Sequence, residues 1–311
     1  MGQVKAIIDK LLTDVSQMYI PDGYISEQVL PLLKSKQKTG KIGKYGKDHL
    51  RIEHQLAGGR GEYRRVEPIT RASDSYSIDS YGLAGLVTED DYDNVELPFA
   101  AEEDEVKGLS NLIWLNKEVA LATSLTSTSV MTQNTTLVGT QQFSDYSNSN
   151  PIEVFKTARQ AVYDGCGLPP NCALMSWEVA NTLAYSPAIL DALGFSQNRA
   201  GQLSEAELCK AMGVEKLLIA KAKYNSAKEG QTAVLSSIWG DAIVFYYAPA
   251  SSGKYQTSLG YRVALAGRTS RRVFKNAVTN PPNSMEILCD DSYDYAITTV
   301  GAGYLIKDCL A

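Results

Sequence analysis

Two histidines, five cysteines, a cluster of three aspartates and two glycine-containing turns are the residues of this 311-residue chain whose types and spacing bear on chemistry. His49 and His54 stand five apart, with no cysteine beside them and no helical HExxH frame, so they lack the arrangement of a zinc site. Cys166, Cys172, Cys209, Cys289 and Cys309 are odd in number and fit no metal-ligand spacing. They read as small buried hydrophobes in a reducing compartment, with no disulfide. Ser252-Gly253-Lys254-Tyr255 fails as a phosphate loop because Tyr255 stands where a serine or threonine must reach magnesium. Gly301-Ala302-Gly303 opens like a dinucleotide fingerprint, but no third glycine follows three residues on, and it reads as a tight turn. No G-x-S-x-G elbow is present. Asp290, Asp291 and Asp294 remain: carboxylates at this spacing could form an acid–base pair or a calcium site, although acids clustered on a turn are usually solvated. No nucleophile has a base, and the expectation is a protein without catalytic residues, cofactor or metal.

Bulk properties narrow the class further. Hydrophobic residues at 44% and charged residues at 21% are ordinary for a folded globular protein. No run of about eighteen apolar residues exists to cross a bilayer, and no membrane partner is expected. A net charge of −5 argues against a surface that binds nucleic acid all over, though not against a local basic patch. The length suggests two subdomains, or one domain with long excursions. The N-terminus lacks the regions of a signal peptide, and Met1-Gly2 is followed by Ala6 where myristoylation needs serine or threonine.

Charge is distributed unevenly. From Lys34 to Arg71 there are eleven lysines and arginines against four acids, a net of +7. Few large apolar residues accompany them, and Gly58-Gly59-Arg60-Gly61 separates two strand-like stretches, HLRIEHQL and EYRRVEPIT, which predicts a long β-hairpin projecting from the body. From Val87 to Glu105 there are nine acids and no lysine or arginine, a net of −9. An extended hairpin cannot easily fold back on its own root, so the two segments suggest complementarity between copies. Contacts of that head-to-tail kind build rings or larger assemblies. The loop side would be Arg60, Arg64, Arg65 and Arg71; the other side would be Glu102, Glu103, Asp104 and Glu105. Two other readings stand beside this one: both segments as solvated faces, and the ribbon as a nucleic-acid binder, for which only Tyr45 and Tyr63 offer stacking surfaces.

The elements that would position these charges follow from periodicity. Pro98 opens a helix to about Ser127 whose Val106, Leu109, Ile113 and Ala120 line one face, a spine for the chain. Gly108 disfavours the helix by about 1 kcal/mol relative to alanine, leaving the start open between Pro98 and Val106. Residues 2–19 place Val4, Ile7, Ile8, Leu11, Val15 and Met18 on one face of an amphipathic helix; Pro21, Asp22 and Gly23 end it, and Pro31 prevents anything long and helical before Leu32. After a polar connection with a short strand at Thr136-Leu137-Val138, Pro151 opens a second helix closed by Gly165 and Gly167. Ser176 caps WEVANTLAYS, Pro187 starts a short helix, and Ser204 with Glu207 forms a capping box for SEAELCKAMG. VEKLLIAKAKYN, AVLSSIW, DAIVFYYAP and GYRVALAG read as strands, and the closing stretch as two more around an Asp290-Asp291-Ser292 turn. This is an α+β pattern without βαβ alternation.

The order of these features resembles the major capsid protein of tailed bacteriophages, a fold shared with encapsulins. The motifs that carry the likeness are YGLAGLVTEDDYDNVELPF entering the spine, LIWLNKEVALA within it, PPNCALMSWEVANTLAYSPAILDAL, and SYDYAITTVGAGYLIKDCL near the end. The resemblance covers nearly the whole chain and implies an N-terminal arm at 1–40, an extended loop hairpin at 41–86, and a peripheral domain with the spine helix at 87–163. It further implies a mixed α/β axial domain at 164–285 and a strand at 286–311 that returns to the peripheral domain. The implied function is structural: self-assembly into pentamers and hexamers of an icosahedral shell enclosing phage double-stranded DNA, in the virion, after assembly in the bacterial host cytoplasm. Scaffolding, portal and decoration proteins are the further partners it implies, with the scaffold a separate protein if there is one. Some family members cross-link their shells through lysine and asparagine; no motif near Lys44 or Lys47 supports that here. An encapsulin-like bacterial shell is the alternative. An acidic soluble hydrolase built on the Asp290 cluster is the remote one, and it predicts a turnover lost in Asp291→Asn.

Overall fold

The computed structural model describes residues 7–45, 52, 72–93, 98–194, 202–228, 230–253, 256–268 and 271–311. Asp9 makes the first departure from expectation. Its carboxylate accepts from the Leu12 N–H at 3.0 Å, so the single helix expected over 2–19 becomes a two-residue strand, β1 (Ile7–Ile8), and a capped helix, α1 (Lys10–Met18). α1 buries Leu12, Thr13 and Ser16, whereas Ile8, Leu11 and Met18 of the expected apolar face are exposed.

The chain continues through α2 (Ser26–Val29), β2 (Leu32–Ser35) and β3 (Thr39–Gly43), then β4 (Ser73–Ser77) and β5 (Asp79–Val87). β3 and β4 pair antiparallel from Thr39↔Ser77 to Gly43↔Ser73, forming the root of a hairpin. Apart from Ile52, the strands expected at HLRIEHQL and EYRRVEPIT lie outside the described residues. A short acidic helix, α3 (Glu89–Asp93), precedes the spine, α4 (Pro98–Leu125), whose 28 residues span roughly 42 Å.

Gly108 does not interrupt α4. It is exposed, and a Cβ added there would meet nothing within 4 Å. Gly108→Ala should therefore raise the stability of the isolated chain by about 1 kcal/mol, measured by urea unfolding. The buried stripe runs through Leu109, Ile113, Lys117, Leu121 and Leu125. Steps of four outrun the 3.6-residue turn, so the stripe rotates around the helix and Ala120, expected inside, is exposed.

The second half carries β6 (Asn134–Thr136), two residues ahead of the expected strand, and α5 (Pro151–Cys166), which Asn150 caps and Gly167 ends at φ 77°. Then come β7 (Cys172–Ser176), α6 (Trp177–Ala184), α7 (Pro187–Ala192) and α8 (Glu205–Met212); the last begins with the expected capping box. The strand expected at VEKLLIAKAKYN divides into β8 (Lys216–Ala220), beside β7, and β9 (Lys223–Asn225), which pairs with β10 (Leu235–Ser237); β10, β11 (Ile243–Tyr246) and β12 (Gly260–Leu265) fall where expected. Three follow: β13 (Arg272–Val278), β14 (Ser284–Ile297) and β15 (Gly303–Lys307). β13 was not anticipated, and β14 runs unbroken through Asp290-Asp291-Ser292, where a turn was expected.

Two sheets organise these elements. β14 is the axis of the first: β13 pairs with Ser284–Asp290, β12 with Tyr293–Ile297, and β5 runs antiparallel along Met285–Tyr293. β1 adds to β13 and β2 runs parallel to β12, so the segment expected as an arm is stitched into the body at both ends. α1 and the first half of α4 cover this sheet over a core of Leu12, Val87, Val106, Leu109, Ile113, Val273 and Ile287. The second sheet has the order β6-β15-β11-β7-β8. Its larger core includes Leu121, Leu125, Phe143, Phe155, Leu174, Phe245 and Leu305. The cores therefore do not divide at residues 163 and 285. α5 packs with the second sheet, and of the closing segment β14 belongs to the first sheet while β15 belongs to the second. No helix among the described residues is long and apolar enough to cross a membrane.

Candidate functional site

The four acids assigned to an inter-subunit face on the spine have separate fates. Glu102 is buried: its carboxylate accepts from the Tyr92 hydroxyl at 2.7 Å and is ion-paired with Lys275 of β13. Burial and that carboxylate push the Tyr92 phenol far above its ordinary value. Glu102 is engaged inside the subunit, which corrects its assignment to the outer face. Glu105 is half-buried along β5 at Gly85, where a Cβ would come within 1.8 Å of its Oε1. Glu103 and Asp104 point outward, at 3.7 and 3.6 Å from Lys107 on the same helix. Lys107 stands just beyond the cation-free segment and partly offsets its charge.

The acidic surface continues onto α3, whose residues are all at least partly exposed. Asp91 accepts from both the N–H and the hydroxyl of Thr88, which holds its carboxyl below its ordinary value. The basic partners Arg60, Arg64, Arg65 and Arg71 lie outside the described residues. At the hairpin root Lys44 pairs with Asp74 at 2.8 Å.

Between the two cores the spine carries a feature that the sequence reading missed, a belt of buried charge. Lys117 Nζ lies 2.6 Å from Asp291 of β14 and 3.0 Å from Glu27 of α2, with the Trp114 and Tyr293 rings 5.2 and 5.0 Å away. Arg262 of β12 reaches Glu27 at 2.7 Å. Burial pushes the Glu27 carboxyl up, but Lys117 and Arg262 outweigh it and hold the group below its ordinary value. The adjacent Glu118 points into the other side of the belt. It accepts from the N–H groups of Ile25 and Ser26 at 3.1 and 2.8 Å and from Trp239 Nε1 at 2.6 Å, joining the start of α2, the spine and the second core. Nearby, Arg271 donates to Ser16 and to the Tyr19 carbonyl, with its guanidinium 4.8 Å from the Trp114 ring centroid. The belt fixes the N-terminal segment, the first sheet and the second core to one turn of the spine. A signal for it was present: Lys117 and Glu118 fall four residues after Ile113 and Trp114, inside the apolar stripe.

Burial raises the Glu118 carboxyl above its ordinary value of 4.5, despite its three donors. Its contribution to stability is therefore complete below that value and is lost as pH rises through the raised one. Glu27 works the other way: its contribution is present above 4.5 and is lost as pH falls through its lowered value. Glu118→Gln should remove the part of the stability decline that Glu118 causes above pH 4.5, while leaving the acid-side loss from Glu27. Urea unfolding across the pH range reads this directly.

The aspartates that could have paired for acid–base chemistry are spread out. Asp290 is bidentate to Arg272, Asp291 faces Lys117, and Asp294 accepts from the Ser77 N–H at 2.9 Å. Asp290 and Asp291 point to opposite faces of the strand, and Asp294, on the face of Asp290, lies four residues on at about 3.4 Å per residue, so these carboxylates do not form an acid–base pair. Among the described residues no group of three histidine, cysteine or acidic side chains could hold a metal, and His49 and His54 lie outside them. All five cysteines are free; burial pushes the Cys289 thiol up to about 12.

No protein-family model matches the chain. The major capsid protein of Burkholderia phage BcepMu is 24% identical over 269 residues, covering 84% of each chain. That of Pseudomonas phage JBD67 is 24% identical over 316 residues, covering 98% of this chain and 97% of its own. Among solved structures, a phage-related protein from Bordetella bronchiseptica superposes with a TM-score of 0.75 at 21% identity, covering 98% of each chain. A chain of the capsid structure of cyanophage P-SCSP1u gives 0.57 at 11% identity, covering 93% of this chain and 89% of its own. This chain has the phage major-capsid fold, and the resemblance to tailed-bacteriophage major capsid proteins drawn from its sequence motifs holds nearly from end to end.

Proposed function

We propose that this protein is a structural shell subunit whose copies assemble into pentamers and hexamers of an icosahedral capsid around double-stranded DNA. The end-to-end agreement in fold and element order with phage capsid proteins carries the reading. Charge segregation gives it a mechanism. The basic hairpin of one copy, through Arg60, Arg64, Arg65 and Arg71, meets the outward acids Glu103 and Asp104 and the half-buried Glu105 of the next, while Glu102 holds the spine to β13 inside each copy. The protein resides in the virion, is assembled in the host cytoplasm, and meets scaffolding, portal and decoration proteins there.

An encapsulin-like shell shares the fold and differs in what it encloses. Negative-stain microscopy of the purified protein, followed by nuclease digestion, separates the two. Closed particles protecting double-stranded DNA support the capsid reading, and closed particles protecting only protein favour the alternative. Discrete particles of a few copies, with no ring of five or six, would contradict both.

A further inference from the structure

The outward face of the spine between Gly108 and Thr123 is unlike an ordinary solvent-facing helix surface. Gly108, Leu112, Asn116, Val119, Ala120 and Thr123 are exposed on it, Leu112 by 48% and Val119 by 38%, and none carries charge. A surface helix normally places charged residues there. The Thr123 hydroxyl donates to the Val119 carbonyl at 2.8 Å, so it is already satisfied within the helix. The face runs for roughly 22 Å at about 1.5 Å per residue. Gly108 sits in it with open space where a side chain would be, at a cost to the helix that no contact within the chain repays.

We infer that this face docks against the same face of a second copy, antiparallel across a two-fold axis, as a contact distinct from the loop–spine contact and additional to the shell reading on which it rests. The pattern is self-complementary. Centring the axis between Leu115 and Asn116 sets Gly108 opposite Thr123 and Leu112 opposite Val119, so the residue without a side chain faces a medium one and two aliphatic side chains meet. Charge selects the same direction. The antiparallel register places Lys107 opposite Ser124 and carries Asp104 past the end of the facing helix at Leu125, whereas a parallel one would bring Asp104 to Asp104 and Lys107 to Lys107. A contact in which residue i meets j and j meets i is isologous and closes as a dimer, so it joins copies pairwise while head-to-tail contacts build rings.

Paired cysteines test this. Helices packed about 8–10 Å apart bring facing Cα atoms near the span of a disulfide. Cys209, the one cysteine not buried, is first changed to serine. Under mild oxidation Leu112→Cys with Val119→Cys should give covalent dimers on a non-reducing gel, and either change alone should not. Val119→Lys alone should weaken dimers, and adding Leu112→Glu should restore them, since the two positions are too far apart on one helix to pair with each other. Covalent dimers without shells would support the contact and count against the shell reading. Shells with no covalent dimer from the double variant, or dimers from Leu112→Cys alone, would overturn the contact and leave the shell reading standing. Neither dimers nor shells would overturn both.

Discussion

Lys117→Met should destabilise the folded chain by about 3–5 kcal/mol, the range for removing one partner of a buried ion pair. Lys117 is 2% exposed and Asp291 is 3% exposed at the side chain. With the ammonium gone, Glu27 keeps Arg262 at 2.7 Å, whereas Asp291 loses its ion pair and keeps the N–H of Ser292 at 2.8 Å and the more distant charge of Arg271. A nearly isosteric methionine fills the space, so the effect reports charge rather than a cavity. Urea unfolding should show a lowered midpoint with an unchanged slope. Lys117→Met combined with Asp291→Leu should recover most of the loss, because replacing both members of a buried pair by apolar groups is often neutral or stabilising. A single variant within about 1 kcal/mol of the parent would mean that the belt is not an ionic lock.

Arg64→Glu with Arg65→Glu should abolish shell formation while leaving the chain folded. The two residues lie in the +7 segment, and their proposed partners, Glu103 and Asp104, carry the outward charge at the start of the spine. Each exposed pair is worth only about 0–1 kcal/mol. The effect is large because the contact repeats at every subunit of a closed assembly. Glu103→Lys with Asp104→Lys should restore assembly in part, since Lys107 then adds a like charge beside the new lysines. Sedimentation of the variants, with circular dichroism to establish folding, reads the result. Shells at normal yield from the arginine double variant would show that the charge pairing does not drive assembly.

How much of this was legible beforehand depended on whether the deciding interaction was local. The capping box at Ser204 and Glu207, the helix from Pro151 and the extent of the spine are set by neighbours in sequence, and they appear where expected. β14 was misread because Asp290-Asp291-Ser292 has the composition of a turn. Lys117 and Arg272, far away in sequence or on the next strand, supply the partners that let acids lie in a sheet. β13 was missed because Arg272 and Lys275 break its apolar alternation, and both are neutralised by acids on other elements. The charge segregation was visible, but not that Glu102 turns inward, since that depends on Lys275 some 173 residues away. The belt was written into the apolar stripe of the spine, and only packing shows that its two charges join the cores.

The most direct test of shell assembly is the mass of the purified protein by light scattering, at low and at high salt, with negative-stain microscopy of the same samples. Ion pairs at a solvent-exposed contact are screened beyond about 8 Å at physiological ionic strength. Rings of five or six, or closed shells, are expected at low salt, weakening as salt rises. A monomer or dimer whose mass does not change with salt would contradict shell assembly.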